Sequence, residues 1–170
     1  MSEATMTYAM TFLLAMTPIS EIRGSIIFGL TQVEHTLGNI LEIYTLSVIA
    51  NFIPVPFILW AFRPIMKWLK KTKLFGRFAD WLERRTHRKA GNMSEKSAKA
   101  AAAALCIFVA IPFPTTGAWT GSMIAGLLDM RARYALPAIF VGIMVSGLIM
   151  TLLMTGILNL GAFGEWLLNV

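Results

Sequence analysis

Cysteine, histidine and charge are scarce in this 170-residue chain, which has one Cys, two His and only 14% charged residues. Cys106 stands alone in "AALCIFVA", so no intrachain disulfide can form, and a small apolar residue on a buried helix is its simplest reading. His35 and His87 fall in predicted loops, and no metal spacing, nucleophile elbow or phosphate loop is present. Enzyme chemistry therefore has no visible seat, and no cofactor is expected. Basic residues are missing from the first ten positions, which instead carry Glu3; signal peptides begin with positive charge, so the first apolar segment is expected to stay in the protein. Against these absences stand 56% hydrophobic residues, 11 Met and 5 Trp, a composition that excludes an ordinary water-soluble domain and predicts a single membrane domain over 1–170.

Two kinds of apolar segment are present. Residues 43–62 and 135–158 run for 20 and 24 positions without a charge, each enough to cross the bilayer core, which is about 30 Å thick against a rise of about 1.5 Å per residue. These predict transmembrane helices over 43–62 and 134–158. The remaining apolar stretches come as short pairs, 8–17 with 25–33 and 100–111 with 118–128, each interrupted by proline, glycine and hydroxyl residues. Such a pair is either one broken crossing helix or a re-entrant hairpin.

Charge placement chooses between them. Of the 15 Lys and Arg residues, 12 lie between Arg63 and Lys99, and Arg131 and Arg133 follow the second pair; Glu3, Glu34, Glu42 and Glu165 lie in segments without basic residues. Basic connections prefer the cytoplasm. Full crossings would put the two basic regions on opposite sides, whereas hairpins over 6–33 and 98–128 put all 14 residues on one side. The expected fold is all-α: an inverted repeat of re-entrant helical hairpin plus transmembrane helix, multi-pass in the plasma (inner) membrane, with the basic 63–99 segment cytoplasmic and both termini outside. "GSIIFGL" (24–30) and "GSMIAGL" (121–127), identical at five of seven positions, support the repeat, and the same offset pairs Pro18 with Thr115 and Arg23 with Thr120. Inverted repeats with broken helices are a recurring plan of secondary transporters.

Between the halves, Ile65, Trp68, Leu69, Phe75, Phe78, Trp81 and Leu82 recur at spacings of three and four among Lys and Arg. This predicts a basic amphipathic helix over 63–91 lying in the cytoplasmic interface. Gly91 suits its end, and Asn92 with Glu95 resembles a capping box for the next helix. The sequence pI of about 9.8 is then a topology-setting anchor on anionic membrane lipid, and nucleic acid is not an expected partner.

Inside the first pair, "TPISEIRGSIIFGL" places Glu21 and Arg23 where lipid is expected. A charge at the bilayer centre costs about 2.5–3.5 kcal/mol on insertion scales, so the two must face water, protein or each other. Pro18, Ser20 and Gly24 are expected to hold them at the hairpin tip. The second pair answers with "IPFPTTGAWTGS", in which Pro112 and Pro114 stop a helix, Gly117 and Gly121 permit close approach, and Thr115, Thr116, Thr120 and Ser122 supply hydroxyls. Plainer readings stay open: a structural salt bridge for Glu21 and Arg23, packing or an interface anchor for Trp119, an interhelical hydrogen bond for Asn51, and a solvated turn for Asp129 beside Arg131 and Arg133.

"SEIRGSIIFG", followed some ninety residues later by "PFPTTGAWTGSMIAG", resembles the signature pair of the putative small multidrug export protein family, itself similar in plan to the DedA family of membrane proteins. The resemblance implies an integral inner-membrane protein with two opposed re-entrant hairpins and a transport-related role. Carried over by motif position, it marks Glu21, Arg23 and Gly24, and Pro114, Thr116, Gly117, Trp119 and Gly121; Thr115 and Thr120 join these by the hydroxyl argument. The second tip carries no charge, a departure from the DedA pattern. Together the readings predict a proton-linked carrier of an amphiphilic, drug-like or lipid-like substrate working between the hairpins, with protons and membrane lipids as partners. A flippase or scramblase for an anionic phosphate-bearing lipid carrier and a non-transporting membrane assembly protein are the alternatives. Oligomeric state stays open, a homodimer included.

Overall fold

The computed structural model describes residues 3–69, 95–113 and 116–168, and among them every regular element is helical. We number the helices α1 (Glu3–Met16), α2 (Glu21–Thr31), α3 (Leu37–Phe52), α4 (Pro54–Leu69), α5 (Glu95–Ala110), α6 (Ala118–Leu127) and α7 (Ala132–Leu168). Two stretches, Leu37–Ala61 and Ala132–Gly156, are long and apolar enough to cross a membrane. Large apolar side chains such as Leu13, Trp60 and Leu152 stay exposed on helix surfaces, as expected where the solvent is lipid.

One expected helix differs. The expected 43–62 helix lies almost wholly within the stretch Leu37–Ala61, long and apolar enough to cross, and a turn at Ile53 divides it into α3 and α4. Pro54 and Pro56 have no N–H to give the carbonyls four residues back, so an unbroken ladder cannot pass this point, and Pro54 instead occupies the first position of α4, where no such bond is required. Helix α4 then continues into the basic segment as far as Leu69. The rest of the expected 63–91 helix, with Gly91 and Asn92, lies outside the described residues, and α5 begins at Glu95.

The chain divides into two compact units, Met1–Asn51 with Ile143–Val170, and Phe52–Gly142. In the first, α1 and α2 pack as a pair joined by residues 17–20. Close approach of α2 is made at Gly29, where a Cβ would lie 2.6 Å from Ile43 Cγ2 of α3 and 3.1 Å from Thr11 Oγ1 of α1. Thr36 caps α3 by accepting the Asn39 N–H at 3.4 Å. At the end of the pair away from the 17–20 turn, Tyr8 donates to Glu42 Oε2 at 2.7 Å. The later part of α7 joins through Tyr44, which donates to the Met144 carbonyl at 3.0 Å, and through Gly147, where a Cβ would meet Ile22 Cδ1 at 2.7 Å.

In the second unit α6 packs on both α4 and α5. The first part of α7 lies so close to α5 that a Cβ at Gly142 would stand 2.9 Å from the Cys106 carbonyl oxygen. Phe52 and Phe140 pack edge to face with ring centres 5.0 Å apart. Helix α6 ends in a Schellman motif: Met130 N–H reaches the Ala125 carbonyl at 3.0 Å and Asp129 N–H the Gly126 carbonyl at 3.1 Å, with Asp129 left-handed at φ 47°.

Candidate functional site

The turn between α1 and α2 is built from its own chain. Thr17 Oγ1 donates back to the Leu14 carbonyl at 2.9 Å, the Glu21 N–H closes onto the Thr17 carbonyl at 3.0 Å, and the Gly24 N–H onto the Ser20 carbonyl at 2.9 Å. Thr17 and Pro18 are exposed and Ile19 is 93% exposed at the apex. Immediately after this apex the chain turns inward, and Glu21 is 3% exposed.

Glu21 adopts φ 46°, one of two non-glycine residues with positive φ among those described. A left-handed backbone costs a residue with a Cβ about 1–2 kcal/mol, and a buried carboxyl adds its desolvation, so two costs coincide at one residue. Arg23 lies beside it, Nη2 at 3.8 Å from Glu21 Oε2, with 15% of its side chain exposed against 4% for the glutamate. A Cβ at Gly24 would overlap the Ser20 hydroxyl, which would have to turn away. Glu21, Arg23 and Gly24 are thus gathered at the first turn of α2, where the helix dipole also favours the carboxylate.

One turn further along α2 lies a feature that motif reading passed over. Ser25 Oγ donates to the Thr11 carbonyl at 2.9 Å and meets Ser47 Oγ at 2.6 Å. A hydroxyl has one proton, and Ser25 spends it on Thr11, so Ser47 is the donor of the second bond. Thr11, Ser25 and Ser47 are fully buried and join α1, α2 and α3. The signal was in the sequence, since Ser25 and Ser122 occupy the same place in "GSIIFGL" and "GSMIAGL". Asn51, one turn beyond Ser47, is also fully buried, and neither its Oδ1 nor its Nδ2 has a hydrogen-bond partner. The expected interhelical bond from Asn51 is not made.

The second motif stands in the other unit. Pro114 and Thr115 lie outside the described residues. Thr116 Oγ1 donates to the Ile111 carbonyl at 2.6 Å and accepts the Phe113 N–H at 3.2 Å, so its hydroxyl shapes the loop ahead of α6. Gly117 is extended and buried at the start of α6, and its carbonyl accepts the Gly121 N–H at 2.8 Å. Trp119 and Thr120 are half-buried on the first turn of α6. Gly121 packs tightly, since a Cβ there would lie 2.5 Å from Val109 Cγ2 and 3.7 Å from Leu105 Cδ1. Its smallness serves the α5–α6 contact. Ser122 is fully buried and bonds within its own helix, to the Ala118 carbonyl at 2.6 Å.

The turn around Asp129, read from sequence as solvated, is exposed at Leu128 and Asp129, and it lines a cavity of about 230 Å³ with Glu95, Arg131, Arg133 and Tyr134. Arg133 lies over the Tyr134 ring, 4.8 Å from its centre. Among the described residues no cluster of His, Cys, Asp or Glu is placed to hold a metal ion.

The family model for the putative small multi-drug export protein matches residues 21–149, from Glu21 through most of the apolar stretch of α7. No curated protein and no solved structure matches the chain. With both motif segments inside the matched region and two apolar stretches of membrane-crossing length, this chain is a membrane protein belonging to the putative small multi-drug export protein family.

Proposed function

We propose that the protein is a proton-linked membrane transporter of an amphiphilic, drug-like or lipid-like substrate, with Glu21 as its proton-carrying group and Arg23 as the partner that holds it between transport steps. The α1–α2 and α5–α6 pairs act as re-entrant hairpins of an inverted repeat, entering from opposite sides, with the termini outside and the basic connection cytoplasmic. Thr116, Gly117, Trp119, Thr120 and Gly121 form the uncharged second tip, with Pro114 and Thr115 as candidates beside them in the sequence.

The observation that carries this reading is Glu21 itself. A carboxyl group held 3% exposed on a left-handed backbone, beside an arginine, in a pair of apolar helices is costly on each count, and strain of this kind collects where function requires it. Arginine stays protonated, so within the pair only Glu21 can exchange a proton. The cavity beside Arg131, Arg133 and Tyr134, at the start of an apolar stretch of membrane-crossing length, favours a second reading, flipping of a phosphate-bearing lipid.

The test is flux in liposomes reconstituted with the full chain, over drug-like cations and phosphate-bearing lipids, with and without a pH gradient. Glu21→Gln keeps the side-chain shape and removes the exchangeable proton, so pH-linked flux is lost while folded protein is retained. A purely structural pair behaves differently: each single change strands a charge, and Glu21→Gln with Arg23→Gln restores stability together with wild-type flux. That restoration would overturn the proposal.

A further inference from the structure

The register of α2 on α3 can be extended to Glu21. Ser25 meets Ser47 through the hydroxyls at 2.6 Å, and one turn further along α2 a Cβ on Gly29 would lie 2.6 Å from Ile43. Numbers rise along one helix as they fall along the other, four residues to the turn on each, as in any antiparallel pair. Carried one turn in the other direction, the same register leads to Glu21 on α2 and Asn51 on α3. Gly29 and Ser25 meet Ile43 and Ser47, Glu21 and Asn51 come next in the two series, and all six positions are buried.

Asn51 is the anomaly on this line, fully buried with no partner on either polar atom of its amide. Stranding a buried polar group costs about 1–3 kcal/mol, and such groups are rare enough to need a reason. The chemistry of Glu21 supplies one. A carboxylate only accepts, so it can satisfy Nδ2 and never Oδ1; a protonated carboxyl presents O–H and C=O side by side, matching the N–H and C=O of the amide in a closed pair of hydrogen bonds.

We infer that Asn51 is the partner of Glu21 in its protonated state, and that the carboxyl alternates between Arg23 when ionised and Asn51 when neutral. This rests on the proton-linked reading of Glu21. The step is a simple one: a hydronium ion at the aqueous side gives up one O–H, leaving water, as its proton forms an O–H on one Glu21 oxygen; that O–H donates to Asn51 Oδ1, and the remaining C=O accepts from Asn51 Nδ2. Arg23 keeps its charge and is released toward an anionic group of the substrate, which couples proton uptake to binding.

Among the described side chains of this unit, no other ionisable group is placed to compete for the position. Arg23 is the sole other charge on α2. Helix α1 carries Glu3 and Tyr8 and α3 carries Glu42 and Tyr44; Tyr8 and Glu42 bond each other at the end remote from the 17–20 turn, and Tyr44 donates to Met144. Glu34 and His35 lie in the connection at that same remote end, and α7 has no ionisable side chain from Ile143 through Gly164.

Infrared difference spectroscopy on the full chain in liposomes, titrated with acid, reads the carboxyl C=O band, which Glu21→Gln assigns. Asn51→Leu removes the two bonds that favour the neutral form, so the midpoint of Glu21 protonation falls by about one pH unit and the band shifts toward that of a carboxyl without hydrogen bonds. Asn51→Ser, which keeps polarity without offering donor and acceptor side by side, gives a shift in the same direction and serves if the leucine variant fails to assemble. An unchanged midpoint and band in the variant measured would overturn the inference. Because this readout is protonation, it is separate from the transport reading: pH-linked flux surviving in Glu21→Gln refutes that reading whatever the infrared band does.

Discussion

The contact that sets the α2–α3 register can be tested by deleting one hydroxyl at a time. Ser25→Ala removes the bond to the Thr11 carbonyl at 2.9 Å and the acceptor that Ser47 uses at 2.6 Å, leaving a fully buried hydroxyl to find another partner. A hydrogen bond between membrane helices is worth about 0.6 kcal/mol on average and about 1.7 at most, and a stranded buried group adds to that loss, so Ser25→Ala is expected to destabilise by about 1–2 kcal/mol. Ser47→Ala deletes a single bond and leaves Ser25 still donating to Thr11, for about 0.6 kcal/mol. In the double variant no Ser47 hydroxyl remains to be stranded, so the two effects fall short of additivity by about 0.6 kcal/mol or more. Ser122→Ala is the control, because Ser122 bonds only within its own helix in the contacts seen here, to Ala118 at 2.6 Å, and should cost less than either. The assay is reversible unfolding by SDS in micelles, followed by tryptophan fluorescence. Additive losses for Ser25→Ala and Ser47→Ala, or an equal loss for Ser122→Ala, would refute the assignment of Ser25 as the hub.

Two further outcomes are expected. Gly142→Ala and Gly156→Ala gain the same helix propensity, yet a Cβ at 142 meets the α5 backbone at 2.9 Å and one at 156 meets nothing within 4 Å; the first variant should therefore be less stable than the second by about 1–3 kcal/mol in the same SDS titration. For topology, single cysteines at Glu34 and Glu165 in a Cys106→Ser background should react with an impermeant thiol reagent from outside and one at Arg133 should not, and outside labelling at Arg133 would exclude the double re-entrant arrangement.

What sequence alone determined follows from properties carried by each short stretch. The membrane character, the 24 uncharged residues of 135–158 and the interruptions at Pro18 and at Pro112 with Pro114 are local matters of hydropathy and missing N–H groups, and they were legible without any neighbour. Glu21 and Arg23 were legible for the same reason, since a charge in an apolar run is conspicuous whatever surrounds it. The turn at Ile53 lay between legible and hidden: Pro54 and Pro56 were visible, but where within the crossing stretch the helix would turn was not. Only tertiary structure decided that Gly121 and Gly142 are places where α5 comes close, that Ser25 rather than Ser122 bridges three helices, and that Asn51 is buried with no hydrogen-bond partner on its amide. Each of these depends on which residue of one helix meets which residue of another. Composition and spacing constrain the period of a helix and the face it buries, but the register between helices comes from packing across segments far apart in the chain, and in this protein that register sets Ser25 on Ser47 and Gly29 on Ile43.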